Sequence, residues 1–108
     1  MRTEKELLIV LRDHLETIKK QNEQNGLNPN FIEYGFCHEI DVLQNIGVFT
    51  DGEQVDLMNY LDSHRPKRGK HYDHSHRNCS YWWTRTLLKP RLAWLNDQIK
   101  NYHKPKTK

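Results

Sequence analysis

Residues 3–26, which read TEKELLIVLRDHLETIKKQNEQNG, are typical of one amphipathic helix and decide the fold class. The stretch opens with Thr3 and Glu6, whose types and spacing are those of a capping box. Aliphatic residues then recur at helical spacing, at Leu8, Leu11, Leu15 and Ile18. Asn25-Gly26 supplies a stop signal, so the pattern predicts a helix over about 4–24.

Two more helices are predicted after the turn at Asn28-Pro29-Asn30. Within residues 31–46, Phe36, Ile40 and Leu43 form an apolar stripe on one face of a helix. This stripe is widened by Cys37, Val42 and Ile46. A helix that is apolar over most of its circumference is usually buried, and this one should stop at Gly47. A second capping box, Thr50-Asp51-Gly52-Glu53, then opens a helix that carries Val55, Leu57, Met58 and Leu61.

The C-terminal half contains a basic loop, an aromatic segment and a last helix. Pro66 ends the third helix, and residues 64–80 hold no aliphatic residue but many histidines and cations, among them Arg65, Lys67, Arg68, Lys70 and Arg77. Pro90 suits the first turn of a helix whose apolar face would comprise Leu88, Leu92, Leu95, Ile99 and Tyr102. We therefore expect one all-α, four-helix domain over residues 1–108, with a frayed basic tail at 103–108.

Composition predicts a small core. Leu, Ile, Val and Phe make up 25 of the 108 residues, just above the level at which disorder would be expected. A core of this size favours self-association, so we expect a homodimer or larger. The longest apolar run, Leu7 to Leu11, is far too short for a membrane span, and the acidic start does not suit a signal peptide. Cys37 and Cys79 should then be reduced thiols in a cytosolic protein.

Charge is distributed unevenly along the chain. Residues 1–61 carry a net charge of −6 and residues 62–108 a net charge of +9. This asymmetry indicates an anionic partner for the C-terminal half, which would be a nucleotide, a nucleic acid or an acidic protein. The alternative is that the two halves attract each other, within one chain or across a dimer.

The leading candidate site combines aromatic rings with arginines. All three tryptophans and two arginines lie within residues 81–94, and the site would use Tyr81, Trp82, Trp83, Arg85 and Arg91. Indole faces stack on planar bases and guanidinium forks match phosphate oxygens, so this set suits a nucleotide-like anion. His38 and the basic loop cations would complete the pocket. The alternative is structural, with Trp82 or Trp83 in the core and Arg91 paired to an acidic residue.

Two weaker candidates involve histidine and cysteine. Zinc ligands of the usual types stand in one contiguous stretch, at His71, His74, His76 and Cys79, whereas structural zinc sites normally pair ligands from separate elements. Cys37-His38-Glu39 combines a thiol, a base and an acid, but neighbours along a helix do not face one another, so a core cysteine is the preferred interpretation. Neither a phosphate-binding glycine loop nor a recognisable catalytic motif is present, and we predict neither catalysis nor a cofactor.

A longer pattern spans residues 35–99. It consists of Gly35-Phe36-Cys37, Leu43, Gly47 to Thr50, Glu53, Leu57, Tyr60-Leu61, Pro66, Tyr81-Trp82-Trp83 and Pro90-Arg91-Leu92-Ala93-Trp94-Leu95. This order resembles a group of small proteins encoded by tailed bacteriophages and prophages. The resemblance implies a phage accessory protein that acts in the host cytoplasm, on host defence or metabolism. With the candidate site, it suggests sequestration of a small nucleotide-derived ligand. The alternative is an inhibitor that docks on a host protein or on nucleic acid through its basic half.

Overall fold

A computed structural model of the chain describes residues 2–32, 36–64 and 88–102. These residues form four α-helices: α1 (Glu4–Gln24), α2 (Phe36–Asn45), α3 (Asp51–Ser63) and α4 (Leu88–Lys100). The prediction of an all-α, four-helix fold is confirmed. None of the helices in these three ranges combines the length and the apolarity that crossing a membrane requires.

Both predicted capping boxes are formed. The Thr3 hydroxyl accepts from the backbone N–H of Glu6 at 3.2 Å, and the Glu6 carboxylate accepts from the backbone N–H of Thr3 at 2.8 Å. Thr50 and Glu53 repeat this exchange at the start of α3, at 3.1 and 3.0 Å. Each box satisfies backbone N–H groups that have no partner within the helix, which explains why α1 and α3 begin where the sequence predicts.

The two glycines predicted to stop α1 and α2 adopt the same C-terminal motif. Gly26 and Gly47 have φ angles of 72° and 84°, in the left-handed region that side chains with a Cβ rarely adopt. The backbone N–H groups of Gly47 and Val48 donate back to the carbonyls of Gln44 and Leu43, at 3.1 and 2.8 Å. Gly26 and the residue after it do the same at the end of α1. This is the Schellman motif, and it turns the chain away from each helix axis.

The second helix is shorter than predicted. Its pattern extended back to Phe31, but α2 begins at Phe36, and Phe31 is exposed. The turn before it has its own hydrogen bonds: Asn28 accepts from Phe31 through its carbonyl and from the N–H of Asn30 through its side chain. These local bonds compete with a helical ladder. Two apolar residues predicted for the middle helices also face solvent rather than the core: Ile46, which follows the end of α2, and Val55 in α3.

Helix α1 lies at the centre of the described fold, against α4 and α3, while α2 packs on α3. The buried apolar side chains come from all four helices and the links between them: Leu7, Leu8, Leu11, Leu15, Ile32, Phe36, Ile40, Leu43, Phe49, Leu57, Tyr60, Leu61, Leu88, Leu92, Trp94 and Leu95. Because this core is shared, each helix depends on its neighbours for the burial of its apolar face.

Long-range polar contacts fasten the ends of the helices. Arg2 donates to both carboxylate oxygens of Glu53 at 2.9 Å and also to the carbonyl of Val48, which connects the start of α1 to the start of α3. At the other end of α3, the Tyr60 hydroxyl donates to Gln98 of α4 at 2.8 Å. Burial, followed by the nearby charge of Glu4, raises the pKa of Tyr60 to about 12.

Candidate functional site

The described part of the predicted arginine and aromatic site lies at the start of α4. The first turn of this helix is anchored by the backbone N–H of Leu88, which donates to the carbonyl of Asn30 at 2.6 Å. Pro90 lies in this turn, where its missing N–H costs no helical hydrogen bond. Arg91 and Trp94 follow, three residues apart and both buried, so they lie on the same side of α4.

Arg91 is held against aromatic rings. Its side chain is only 3 % exposed, and its guanidinium carbon lies 5.6 Å from the centre of the Phe36 ring. The Phe36 and Trp94 rings are 6.0 Å apart at 39°, a favourable arrangement for an aromatic pair. A cation over an aromatic face gains about 0.5–2 kcal/mol, the larger value when water is excluded. The contact between α2 and α4 therefore fixes a permanent positive charge among aromatic side chains.

A second buried charge lies one turn further along α2. Glu39 is 7 % exposed and its carboxylate oxygen is 2.8 Å from Nε2 of His14 on α1. Glu39 follows Phe36 by three residues, so both side chains project from the same side of α2. We call these five residues, His14, Phe36, Glu39, Arg91 and Trp94, the α2 cluster. In this cluster the carboxylate of Glu39, the imidazole of His14 and the guanidinium of Arg91 all lie on the buried side of α2.

Sequence reasoning missed the His14–Glu39 pair, although a signal was present. Glu39 interrupts the apolar stripe of α2 beside Ile40, and His14 lies beside Leu15 on the apolar side of α1. A polar residue in a buried stripe requires a partner, because burying a charge without one is costly. The pattern therefore indicates that each residue has a partner, but periodicity does not tell which residue that is.

His38 is placed differently from the other described site residues. It is exposed in the first turn of α2, two residues after the buried Phe36. Two residues on a helix differ by about 200° in direction, so His38 and Phe36 point to opposite sides of α2. The structure therefore does not bring His38 to the buried side on which Arg91 lies. Cys37, between them, is half-buried rather than fully buried in the core.

The remaining predicted site residues lie outside the described ranges. They are Tyr81, Trp82, Trp83 and Arg85 of the aromatic segment, Arg65, Lys67, Arg68, Lys70 and Arg77 of the basic loop, and the zinc candidates His71, His74, His76 and Cys79. Within residues 2–32, 36–64 and 88–102, histidine, cysteine and carboxylate side chains form no group of three that would hold a metal ion.

Comparison with known protein families, with curated proteins and with solved structures found no match to this chain. A fixed guanidinium among aromatic rings is suited to an anion with a planar group, while the His14–Glu39 pair holds an imidazole in a defined orientation.

Proposed function

We propose that this chain is a phage accessory protein, of the anti-defence type, that binds and sequesters a small anionic, nucleotide-type ligand without converting it. Arg91 and Arg85 would hold phosphate oxygens, and Trp82 or Trp83 would stack on the base. Tyr81 and the cations of the basic loop would complete the pocket, whereas His38, on the opposite side of α2, would not take part. The phage setting and the host cytoplasm as location are supported by the sequence resemblance alone.

The observation that carries this proposal is the position of Arg91. Its charge is permanent, because a guanidinium does not lose its proton at physiological pH. Burial to 3 % exposure, against Phe36 and near Trp94, excludes most of the water that would screen this charge. An anion that reaches such a group is bound more strongly than it would be by a solvated arginine. The bidentate fork of the guanidinium selects phosphate or carboxylate.

The proposal is tested by native mass spectrometry of the protein after exposure to a nucleotide extract from phage-infected cells. We expect an added mass of several hundred daltons, roughly that of a nucleotide, and its loss in Arg91→Ala. Arg12→Ala is the matched control, because the Arg12 side chain is part-exposed and bonded to Asp13 and to Asn96 of α4 rather than to aromatic rings. Arg91→Lys separates fold from binding, since it keeps the buried charge but loses the fork.

Circular dichroism should show that Arg91→Lys remains helical while its adduct is reduced. A protein that carries no small adduct at all would overturn the proposal. So would an adduct that Arg91→Lys and Arg12→Ala reduce equally.

The second candidate function is an inhibitor that docks on a host protein or on nucleic acid through its basic half. The net charge of +9 on residues 62–108 favours it. Binding to a duplex through several phosphates would weaken steeply with added salt, by roughly one counterion per contact. A nucleotide that occupies one site should show a weaker salt dependence and saturate at one ligand per chain. Titrating duplex DNA and mononucleotides at several salt concentrations therefore distinguishes the two functions.

A further inference from the structure

The arginine on which the proposed function depends is closed off from solvent. Arg91 is 3 % exposed, and Trp94 beside it is 2 % exposed. The ring of Phe36, the first residue of α2, lies against the Arg91 guanidinium and 6.0 Å from the ring of Trp94. A phosphate oxygen has to approach a guanidinium nitrogen to about 2.7–2.9 Å. An anion therefore reaches Arg91 only after a covering element has moved, and Phe36 makes α2 part of that cover.

Helix α2 is the shortest of the four described helices. It has 10 residues, against 13 in α3 and α4 and 21 in α1. A helix of fewer than about 12–15 residues is marginal in water unless tertiary contacts hold it. In α2 these contacts come from one apolar face, where Phe36, Ile40 and Leu43 are buried. When that face leaves the core, α2 therefore loses its helical hydrogen bonds as well.

The other three helices are held to one another independently of α2. Within the described ranges, α1 packs closely against both α3 and α4, whereas the close backbone contacts of α2 are with α3. Hydrogen bonds at both ends of α3 also join it to Arg2 and to Gln98. Side chains connect α2 to the other two helices, through the His14–Glu39 hydrogen bond to α1 and the Phe36 ring to α4. Detaching α2 therefore leaves the contacts among α1, α3 and α4 in place.

We infer that α2 is a lid, which opens by local unfolding and gives an anion access to Arg91 and Trp94. The anion as the molecule that enters rests on the proposed function, whereas the opening is a property of the free chain. Elements that cover binding sites are drawn from the least stable parts of a fold, because they must open while the rest stays folded. Only the chains with an open lid bind, so the lid lowers the apparent affinity by the fraction of chains that are open.

The test is hydrogen–deuterium exchange of the full chain without ligand, read by mass spectrometry on peptides from each helix. The informative amides of α2 are those of residues 40–45, which lie within the helical hydrogen-bond ladder. We expect them to exchange at least about tenfold faster than the slowest amides of α1 and α4. His14→Ala removes the hydrogen bond between α1 and α2. It should speed the exchange of α2 by about tenfold more, with little change in α3 and α4.

Gln98→Ala is the matched control, because it removes a side-chain hydrogen bond of the same length, 2.8 Å, between α3 and α4. It should leave the exchange of α2 unchanged. Exchange of α2 at the rate of α1 and α4 would overturn the inference, since α2 would then open only with the whole domain. Equal acceleration of α2 in His14→Ala and Gln98→Ala would overturn it too. A fast-exchanging α2 in a protein that carries no adduct would overturn the proposed function alone, whereas an adduct on a protein whose α2 exchanges slowly would overturn the lid alone.

Discussion

Replacing Glu53 by glutamine should remove an ion pair while preserving the cap of α3. Arg2 donates to both oxygens of the Glu53 carboxylate at 2.9 Å, and this carboxylate also accepts from the backbone N–H of Thr50 at 3.0 Å. A glutamine at this position still accepts from Thr50, because Glu and Gln both serve in a capping box. The substitution Glu53→Gln therefore tests the charge of the contact with Arg2.

The expected cost follows from the burial of the two partners. Hydrogen bonds to charged groups contribute about 1.5–3 kcal/mol, and Glu53 is almost fully buried. The Arg2 side chain is 34 % exposed, so water screens part of this attraction. We therefore expect a loss of about 1–2 kcal/mol in the free energy of unfolding at neutral pH. In a domain of this size, about 1 kcal/mol corresponds to about 4–8 °C in Tm.

The cost should depend on pH in a defined direction. The side-chain hydrogen bond from Arg2, and after it the backbone N–H of Thr50, lower the pKa of Glu53 from 4.5 to about 2. A carboxyl whose pKa is lowered by folding stabilises the fold above its unfolded pKa and loses this contribution as pH falls through the folded one. Urea denaturation from pH 7 down to pH 2 should show the parent and Glu53→Gln converging between about pH 4.5 and about pH 2.

Glu6→Gln is the control for this experiment. Glu6 occupies the same position in the capping box of α1, is exposed, and accepts from the backbone N–H of Thr3. Its substitution should cost less than that of Glu53, because it breaks no bidentate pair with an arginine. Equal losses in the two variants, or a loss in Glu53→Gln that is the same at pH 7 and pH 2, would refute the reasoning.

Three further predictions concern the rest of the described fold. Gly47→Ala should cost about 1 kcal/mol or more, since the φ of 84° disfavours a Cβ, while Gly47→Asn should cost less; equal Tm values for the two variants would contradict this. His14→Leu should cost about 1–3 kcal/mol in chemical denaturation by leaving buried Glu39 without its imidazole, and adding Glu39→Leu should recover part of the loss. In an ultraviolet titration, one tyrosine should ionise near pH 12, and Tyr60→Phe should remove that step. Because folding favours the neutral phenol of Tyr60, its raised pKa lowers the free energy of unfolding only above about pH 10. A titration step near pH 12 that survives in Tyr60→Phe would show that the assignment is wrong.

The candidate site was partly predictable. The placement of Arg91 and Trp94 on one side of α4 follows from their spacing of three residues, which any helix brings together. That Arg91 lies over the ring of Phe36 does not follow from spacing, since 55 residues separate the two along the chain. The prediction that His38 joins the site shows the same limit. His38 is only two residues from Phe36 along the chain, but on a helix this spacing points the two side chains to opposite sides of α2.

The sequence by itself determined the four helices and most of their ends; the start of α2, predicted at Phe31 and found at Phe36, is the exception. Capping boxes, left-handed glycines and apolar periodicity act over three to five residues, so their effects are present in the local sequence. Only the tertiary structure decided which charges are buried and with which partners, as in Arg2–Glu53 and His14–Glu39. These contacts depend on the distances between helices, which result from many weak packing interactions at once. The same packing left Asp51, Asp56 and Asp62 of α3 at the surface.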